Sequence, residues 1–177
     1  EEMATHLKPL DPARLAELRK RLNDLVQQVP IIKGWSESGT GFDMDLFMLA
    51  GDTPVRNWRD GEFAGLKKID AIAIKETMGA GMDGCFACSI RCKKKAKFDE
   101  PYAVDPAYGA PEYESLASLG TNLCIDDLKA IVKANEICNA NSIDVISAGG
   151  VIACCMEAWE KGILTADRTG GLELTWG

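Results

Sequence analysis

Residues 111–162 read PEYESLASLGTNLCIDDLKAIVKANEICNANSIDVISAGGVIACCMEAWEKG, and this stretch decides the fold class. Pro111 suits the first turn of a helix, and Glu112 and Glu114 behind it are acids suited to the positive end of that helix. Asp126 is placed to cap a second helix, which carries Leu128, Ile131, Val132 and Asn135 at helical spacing. Asp144 is placed to cap a third, with Ile152, Cys155, Met156 and Trp159 on one face and Gly162 as its stop. Three successive helical patterns with no strand between them are not the alternation of a doubly wound sheet, and no internal repeat is present. The chain is predicted to be mainly α-helical.

The segments upstream agree. Asp11 is an N-cap and Pro12 a first helical residue, followed by Leu15, Leu18, Leu22, Leu25, Val26 and Val29 on one face until Pro30 ends the helix. The Gly- and Ser-rich stretch 34–41 is predicted to be a loop, and 43–50 a short helix that Gly51 stops. Residues 51–65 look irregular, and 69–74 fit either a helix or a short strand. Residues 79–108, rich in Gly, Cys, Lys and Pro, are predicted to form loops around a cysteine cluster, with an extended pair near 95–104. Leu172 to Trp176 is apolar and strand-like. This organises the chain as an N-terminal helix over 1–33 and a helical domain over 34–177.

The chain has 177 residues, 46% hydrophobic and 27% charged, the composition of one globular domain or two small ones. Its 27 acids against 20 bases give a net charge of −7, opposite in sign to what neutralising a phosphate backbone needs. That speaks against nucleic acid as a partner. No apolar run approaches the ~20 residues of a membrane span, and the first residues lack the order of a signal peptide. A cytoplasmic protein without membrane insertion is expected. The chain begins Glu1-Glu2-Met3 and stops at Trp176-Gly177, straight after an apolar stretch, so it reads as a piece of a longer protein.

Of seven cysteines, Cys85, Cys88 and Cys92 fall within eight residues, and with no export signal a disulfide framework is not expected. The spacing Cys-x2-Cys-x3-Cys aims soft, anionic sulfurs at one centre and suits zinc or an iron-sulfur cluster, leaving a fourth position open. Spacing alone does not choose the metal. A structural zinc loop would take its fourth ligand from Cys124, Cys138 or His6, and a module of that kind, zinc or iron-sulfur, need not be catalytic. Arg91, Lys93, Lys94, Lys95 and Lys97 surround the cluster with positive charge, which favours thiolates. Cys124, Cys138, Cys154 and Cys155 are expected to be small buried hydrophobes, and His6, in a polar tail, is given no role. Trp35, Trp58, Trp159 and Trp176 are expected to be core or interface anchors.

Five motifs in order resemble a known family. They are Thr53-Pro54-Val55-Arg56-Asn57-Trp58 with Gly61-Glu62-Phe63; Gly84 to Cys92; Tyr108 to Ser115 with Leu119-Gly120-Thr121-Asn122; Cys138 to Ser147; and Leu174-Thr175-Trp176-Gly177. Together, over residues 34–177, they are similar to the central region of the aldehyde ferredoxin oxidoreductases, tungsten enzymes. The resemblance implies a β-rich N-terminal domain and two mainly helical domains, of which this chain would be the central helical part. It implies a tungsten or molybdenum bis-pterin beside one [4Fe-4S] cluster, a small aldehyde as substrate and a ferredoxin-type electron acceptor. The remaining domains of the same protein would then be partners.

Carried over residue by residue, the resemblance makes Cys85, Cys88 and Cys92 three cluster ligands, the fourth lying beyond this chain. One of Glu112 and Glu114 would be the carboxylate beside the metal, Glu114 being favoured by its distance to Asp144, and it could accept a proton as two electrons leave the substrate; without the resemblance, both are ordinary helix N-terminal acids. The family's pterin-contacting segment D-x-x-G-L-D reads Asn139-Ala140-Asn141-Ser142-Ile143-Asp144 here. Asn139 loses the charge-assisted part of the first aspartate's hydrogen bond, and Ser142 replaces a glycine. Asp144 is retained, though an N-cap would also need it. Arg56 and Asn57 could hold pterin or phosphate, or serve as structural polar residues of their loop. A relative reducing aromatic acyl-thioesters is the alternative that the altered segment suggests.

Overall fold

The computed structural model describes residues 8–177, which hold nine α-helices and one two-stranded antiparallel sheet. The mainly helical expectation is met. Helix α1 (Pro12–Gln28) begins where Asp11 accepts a 2.9 Å hydrogen bond from the Arg14 N–H. Pro30 ends it, having no N–H to donate, and the same fixed φ starts α2 (Pro30–Ser38) at once. The loop expected over 34–41 is therefore half helix. Gly34 lies inside α2 because the Phe42 ring packs against it: a Cβ there would sit 2.5 Å from the ring. A 3₁₀ turn (Thr40–Asp43) leads to α3 (Met44–Ala50), which Gly51 stops in the left-handed conformation, as expected.

After the irregular 51–65 stretch, the ambiguous segment proves helical. It forms α4 (Leu66–Ile69) and α5 (Ala71–Met78), with Asp70 between them capping α5 through the Ala73 N–H. Strand β1 (Gly79–Asp83) pairs with β2 (Lys93–Ala96), the ladder closing at Asp83–Lys93, and Phe98 bridges to Val104. The extended pair expected at 95–104 thus exists in part, but its longer partner lies upstream, on the other side of the cysteines.

Pro111 precedes α6 (Tyr113–Leu119) rather than sitting in its first turn, since Glu112 is the N-cap. Helix α7 (Leu128–Ala140) is capped by Asp127, whose carboxylate accepts from the Lys129 and Ala130 N–H groups. Asp126, expected in that role, instead pairs with Lys68. Asp144 caps α8 (Val145–Glu160) through the Ser147 N–H at 2.7 Å, as expected. After α9 (Ala166–Thr169) the last residues form no strand. Gly177 N–H donates to the Leu123 carbonyl, and Trp176 packs against Arg56 and Arg59.

The main core lies where α3 to α7 meet β2, built from Met44, Ile69, Ile74, Leu116, Ile131 and Val132, each at most 1% exposed. Burying each such side chain contributes about 1.5–3 kcal/mol. A smaller cluster joins Leu123 to Ala153 and Met156 of α8. The buried line of α8 is thus Gly149, Ala153 and Met156, while Ile152, expected inside, is 39% exposed. The reason is contact distance: Gly149 meets the Ser118 backbone of α6 with no room for a Cβ, so α8 turns its small residues inward. No helix of the described residues is long and apolar enough to cross a membrane.

Candidate metal centre and adjoining cavity

The cysteine loop is the excursion between β1 and β2, stitched at its base by Asp83. That carboxylate accepts from the Gly84 N–H at 2.8 Å and pairs with Lys95 at 3.2 Å and Arg91 at 3.7 Å. Within the loop the Cys88 N–H donates to the Cys85 carbonyl at 3.1 Å. Ala87 and Arg91 both hold φ of +56°, turning the backbone back on itself. The N–H groups of Arg91 and Ile90 consequently point at the Cys88 sulfur and hold its thiol below the ordinary range. Burial pushes Cys92 the other way, reinforced by the negative charge of Glu112, Cys88 and Cys85.

Among the described residues no three His, Cys, Asp or Glu side chains are drawn together tightly enough to hold a metal ion by themselves. The donor chemistry nevertheless fits an iron-sulfur ligand loop: three thiols on one short excursion, two amides aimed at one sulfur and a cationic surround. Of the residues weighed as a fourth zinc ligand, Cys138 is buried in α7 and Cys124 lies beside Arg56 and Asp60. His6 falls outside the described residues. Cys124 and Cys155 are half-buried, whereas Cys154 is exposed, against the expectation of a buried hydrophobe. Trp58, at 64% exposure, is not a core anchor within this chain.

Beneath the loop lies a polar group built around half-buried Glu112, which sequence reading weighed beside Glu114, and buried Lys94, which it named only as part of the basic run. Glu112 accepts a 2.5 Å hydrogen bond from the Thr40 hydroxyl, which in turn accepts from the Tyr113 N–H at 2.9 Å. Lys94 is 2% exposed, and its ammonium has no hydrogen-bond partner among the described residues. Burial pulls the amine below its ordinary range, opposed by the nearby negative charge of Glu112 and Cys92. Period-two alternation was the available signal. In Lys93-Lys94-Lys95-Ala96 the strand turns Lys94 and Ala96 inward and leaves Lys93 and Lys95 toward solvent.

Lys94, Glu112, Glu114, Asn135 and Asn139 line one cavity of about 220 Å³. A second hollow of about 430 Å³ joins Glu112 and Glu114 to Cys92, Thr40 and Trp35. Glu114, exposed in the first turn of α6, faces both. Asn135 and Asn139 stand one turn apart on α7. Asn139 donates to the Tyr108 carbonyl at 2.9 Å, while Asn135 accepts from the Ser115 hydroxyl and its own amide N–H₂, at 3% exposure, has no partner among the described residues. The structure therefore gathers Glu114 and Asn139 at one cavity and Cys92 at the hollow next to it. Ser142 keeps the backbone its family counterpart suggests, with φ of +56°, a conformation that favours glycine.

Arg56 and Asn57 line neither space. With Trp58 they form three consecutive left-handed residues. The Asn57 backbone N–H donates to Asn122 at 2.9 Å and its side chain to Glu157 at 2.5 Å. Arg56 and Arg59 each lie 5.7 Å from the Trp176 ring, and Arg59 pairs with Glu160 at 2.6 Å. This group ties the 53–60 loop to the end of α8.

Comparison with known proteins adds to the geometry. The family model described as aldehyde ferredoxin oxidoreductase, domains 2 and 3, matches residues 17–177, taking in most of α1 as well as the segment expected from the motifs. The chain is 33% identical over 156 residues to a tungsten-containing aldehyde ferredoxin oxidoreductase of Thermococcus kodakarensis, covering 86% of this chain and 25% of that protein. Against the protein of the same name from Pyrococcus furiosus it is 30% identical, with the same shares. It is also 28% identical over 125 residues to the WOR-like subunit of an aliphatic sulfonate oxidoreductase of Pyrococcus furiosus, covering 70% of this chain and 20% of that protein. The chain spans about a quarter of the length of the tungsten-containing relatives it matches.

Proposed function

The chain belongs to the aldehyde ferredoxin oxidoreductase family, and from that we propose that it is the central helical part of a tungsten-pterin enzyme that oxidises aldehydes to carboxylic acids. The reaction is RCHO + H₂O → RCOO⁻ + 3H⁺ + 2e⁻. The electrons would pass through a [4Fe-4S] cluster to a ferredoxin-type acceptor. The observation that carries the reading is the placement of Glu114 and Asn139 on one cavity, with Cys92 on the space beside it.

Cys85, Cys88 and Cys92 would hold the cluster, the Arg91 and Ile90 amides orienting and stabilising the Cys88 thiolate. When bound, the metal-pterin group supplies the two-electron sink. Glu114, at the positive end of α6, would accept one proton from the hydrated aldehyde, where a carboxylate is a competent base. Asn139 and Asp144 would face the pterin, Asp144 while capping α8. Arg56 and Asn57, which line neither space, would act as structural polar residues that tie the 53–60 loop to α8.

The likeness to an aliphatic sulfonate oxidoreductase subunit supports one further reading, a substrate other than a simple aldehyde at the same centre. The test is Glu114→Gln in the full-length enzyme. Aldehyde turnover should fall by about 10²–10⁴-fold while tungsten and iron contents stay unchanged. Turnover within twofold of wild type, at unchanged metal content, would rule out the proton-accepting role.

A further inference from the structure

We propose that Lys94 is a positioning residue for the iron-sulfur cluster, a buried positive charge that offsets the charge of the Cys92 thiolate and raises the cluster's reduction potential. The inference rests on the cluster reading above but concerns a residue that reading does not use. Lys94 follows Cys92 by two residues, faces inward from β2, and lies close enough to Cys92 to feel its negative charge. Its ammonium is 2% exposed and has no hydrogen-bond partner among the described residues, an arrangement that costs free energy unless an anion completes it.

The backbone makes room for this charge. Gly39 holds φ of +89°, and a Cβ built there would lie 2.0 Å from the Lys94 nitrogen and 3.1 Å from the Cys92 carbonyl oxygen. Gly39, the Lys94 ammonium and the Cys92 backbone are therefore packed together, and a side chain at 39 would displace the charge. Glu112 is too far to form an ion pair with Lys94, since no such pair forms within 4.0 Å, and its carboxylate is engaged by Thr40. The missing anion is supplied by the cluster with its thiolates. Cluster potentials respond to nearby charge and to solvent exclusion, and a fixed cation favours the reduced, more negative state. The exposed lysines of the same run, such as Lys97, are screened by water and should matter far less.

The experiment is an EPR-monitored redox titration of the full-length enzyme with Lys94→Met, Lys94→Arg and Lys97→Met. Lys94→Met should disfavour cluster reduction by about tenfold, about 59 mV toward negative potential for one electron, with iron content retained. Lys94→Arg and Lys97→Met should stay near wild type. An unchanged potential in Lys94→Met with an intact cluster overturns the proposal, as does an equal shift in Lys97→Met. If Lys94→Met loses its iron, retention by Lys94→Arg supports the countercharge and loss in both overturns it in favour of packing. A wild-type enzyme without a cluster signal overturns the underlying reading as well.

Discussion

Gly149 is the point at which the helix carrying Glu114 meets the helix capped by Asp144, and its replacement by Ala tests how tightly the two are locked. A Cβ at 149 would lie 2.4 Å from the Ser118 carbonyl oxygen and 2.7 Å from the Ser118 carbonyl carbon, against 3.4 Å or more for ordinary contact. The obstacle is backbone, so no side-chain rotation relieves it, and α6 and α8 must separate by about 1 Å. Overpacking of this kind costs about 1–3 kcal/mol, and a clash with main chain belongs at the upper end. Alanine recovers up to about 1 kcal/mol of helix propensity, leaving a net loss of about 2 kcal/mol. For a chain of this size that lowers the thermal midpoint by about 4–8 °C. Gly150, the next residue of the same helix, has nothing within 4 Å of its ideal Cβ, so Gly150→Ala should gain about 0.5–1 kcal/mol. Thermal unfolding followed by circular dichroism separates the two. Equal midpoints for both variants, or a Gly149→Ala variant as stable as wild type, would refute the packing argument.

Asp127→Ala should cost about 1 kcal/mol through loss of the α7 cap, whereas Asp126→Ala, removing only an exposed pair with Lys68, should cost under about 0.5 kcal/mol; urea unfolding midpoints check the difference. Glu157 and Glu160 are held below the usual carboxylate range, Glu157 by hydrogen bonds from Lys161 and Asn57, and Glu160 by one from Arg59. Their stabilisation is therefore present above the unfolded-state value of about 4.3 and is lost as pH falls through the lower folded-state values. The variant Glu157→Gln/Glu160→Gln should show a shallower fall of thermal midpoint between about pH 5 and pH 3 than wild type. An unchanged slope would mean that these contacts do not form in solution.

What was legible in the sequence was local. Asp11, Asp144 and Gly51 act through hydrogen bonds or dihedral angles within a turn of their own position, and all three mark the boundaries they suggest. Asp126 and Asp127 are chemically alike neighbours, and the choice between them is made by Lys68, far away in sequence. Gly34 reads as a loop residue and sits in a helix because the Phe42 ring needs the space. Strand β1 has only five residues, two of them glycine, and no side-chain pattern; backbone pairing with β2 creates it.

The cysteine loop was legible because a thiol cluster is rare and its spacing is short. Lys94 was harder to read. It belongs to a basic run that ordinarily faces water, and the period-two signal gains its phase only once β2 is placed, which turns Lys94 inward. Asn135 was read as part of a helix face, yet its amide is left free at the cavity it shares with Asn139.

The central claim is that Cys85, Cys88 and Cys92 belong to a redox centre rather than to a structural zinc loop. Its most direct test is elemental analysis for iron, acid-labile sulfide, zinc, tungsten and molybdenum on the anaerobically purified full-length enzyme and its Cys88→Ala variant. The account predicts iron and sulfide in cluster proportion with tungsten or molybdenum in the wild type, and loss of the cluster iron and its visible absorption in the variant. Zinc as the sole metal, or a variant that keeps its full iron and sulfide, would contradict it.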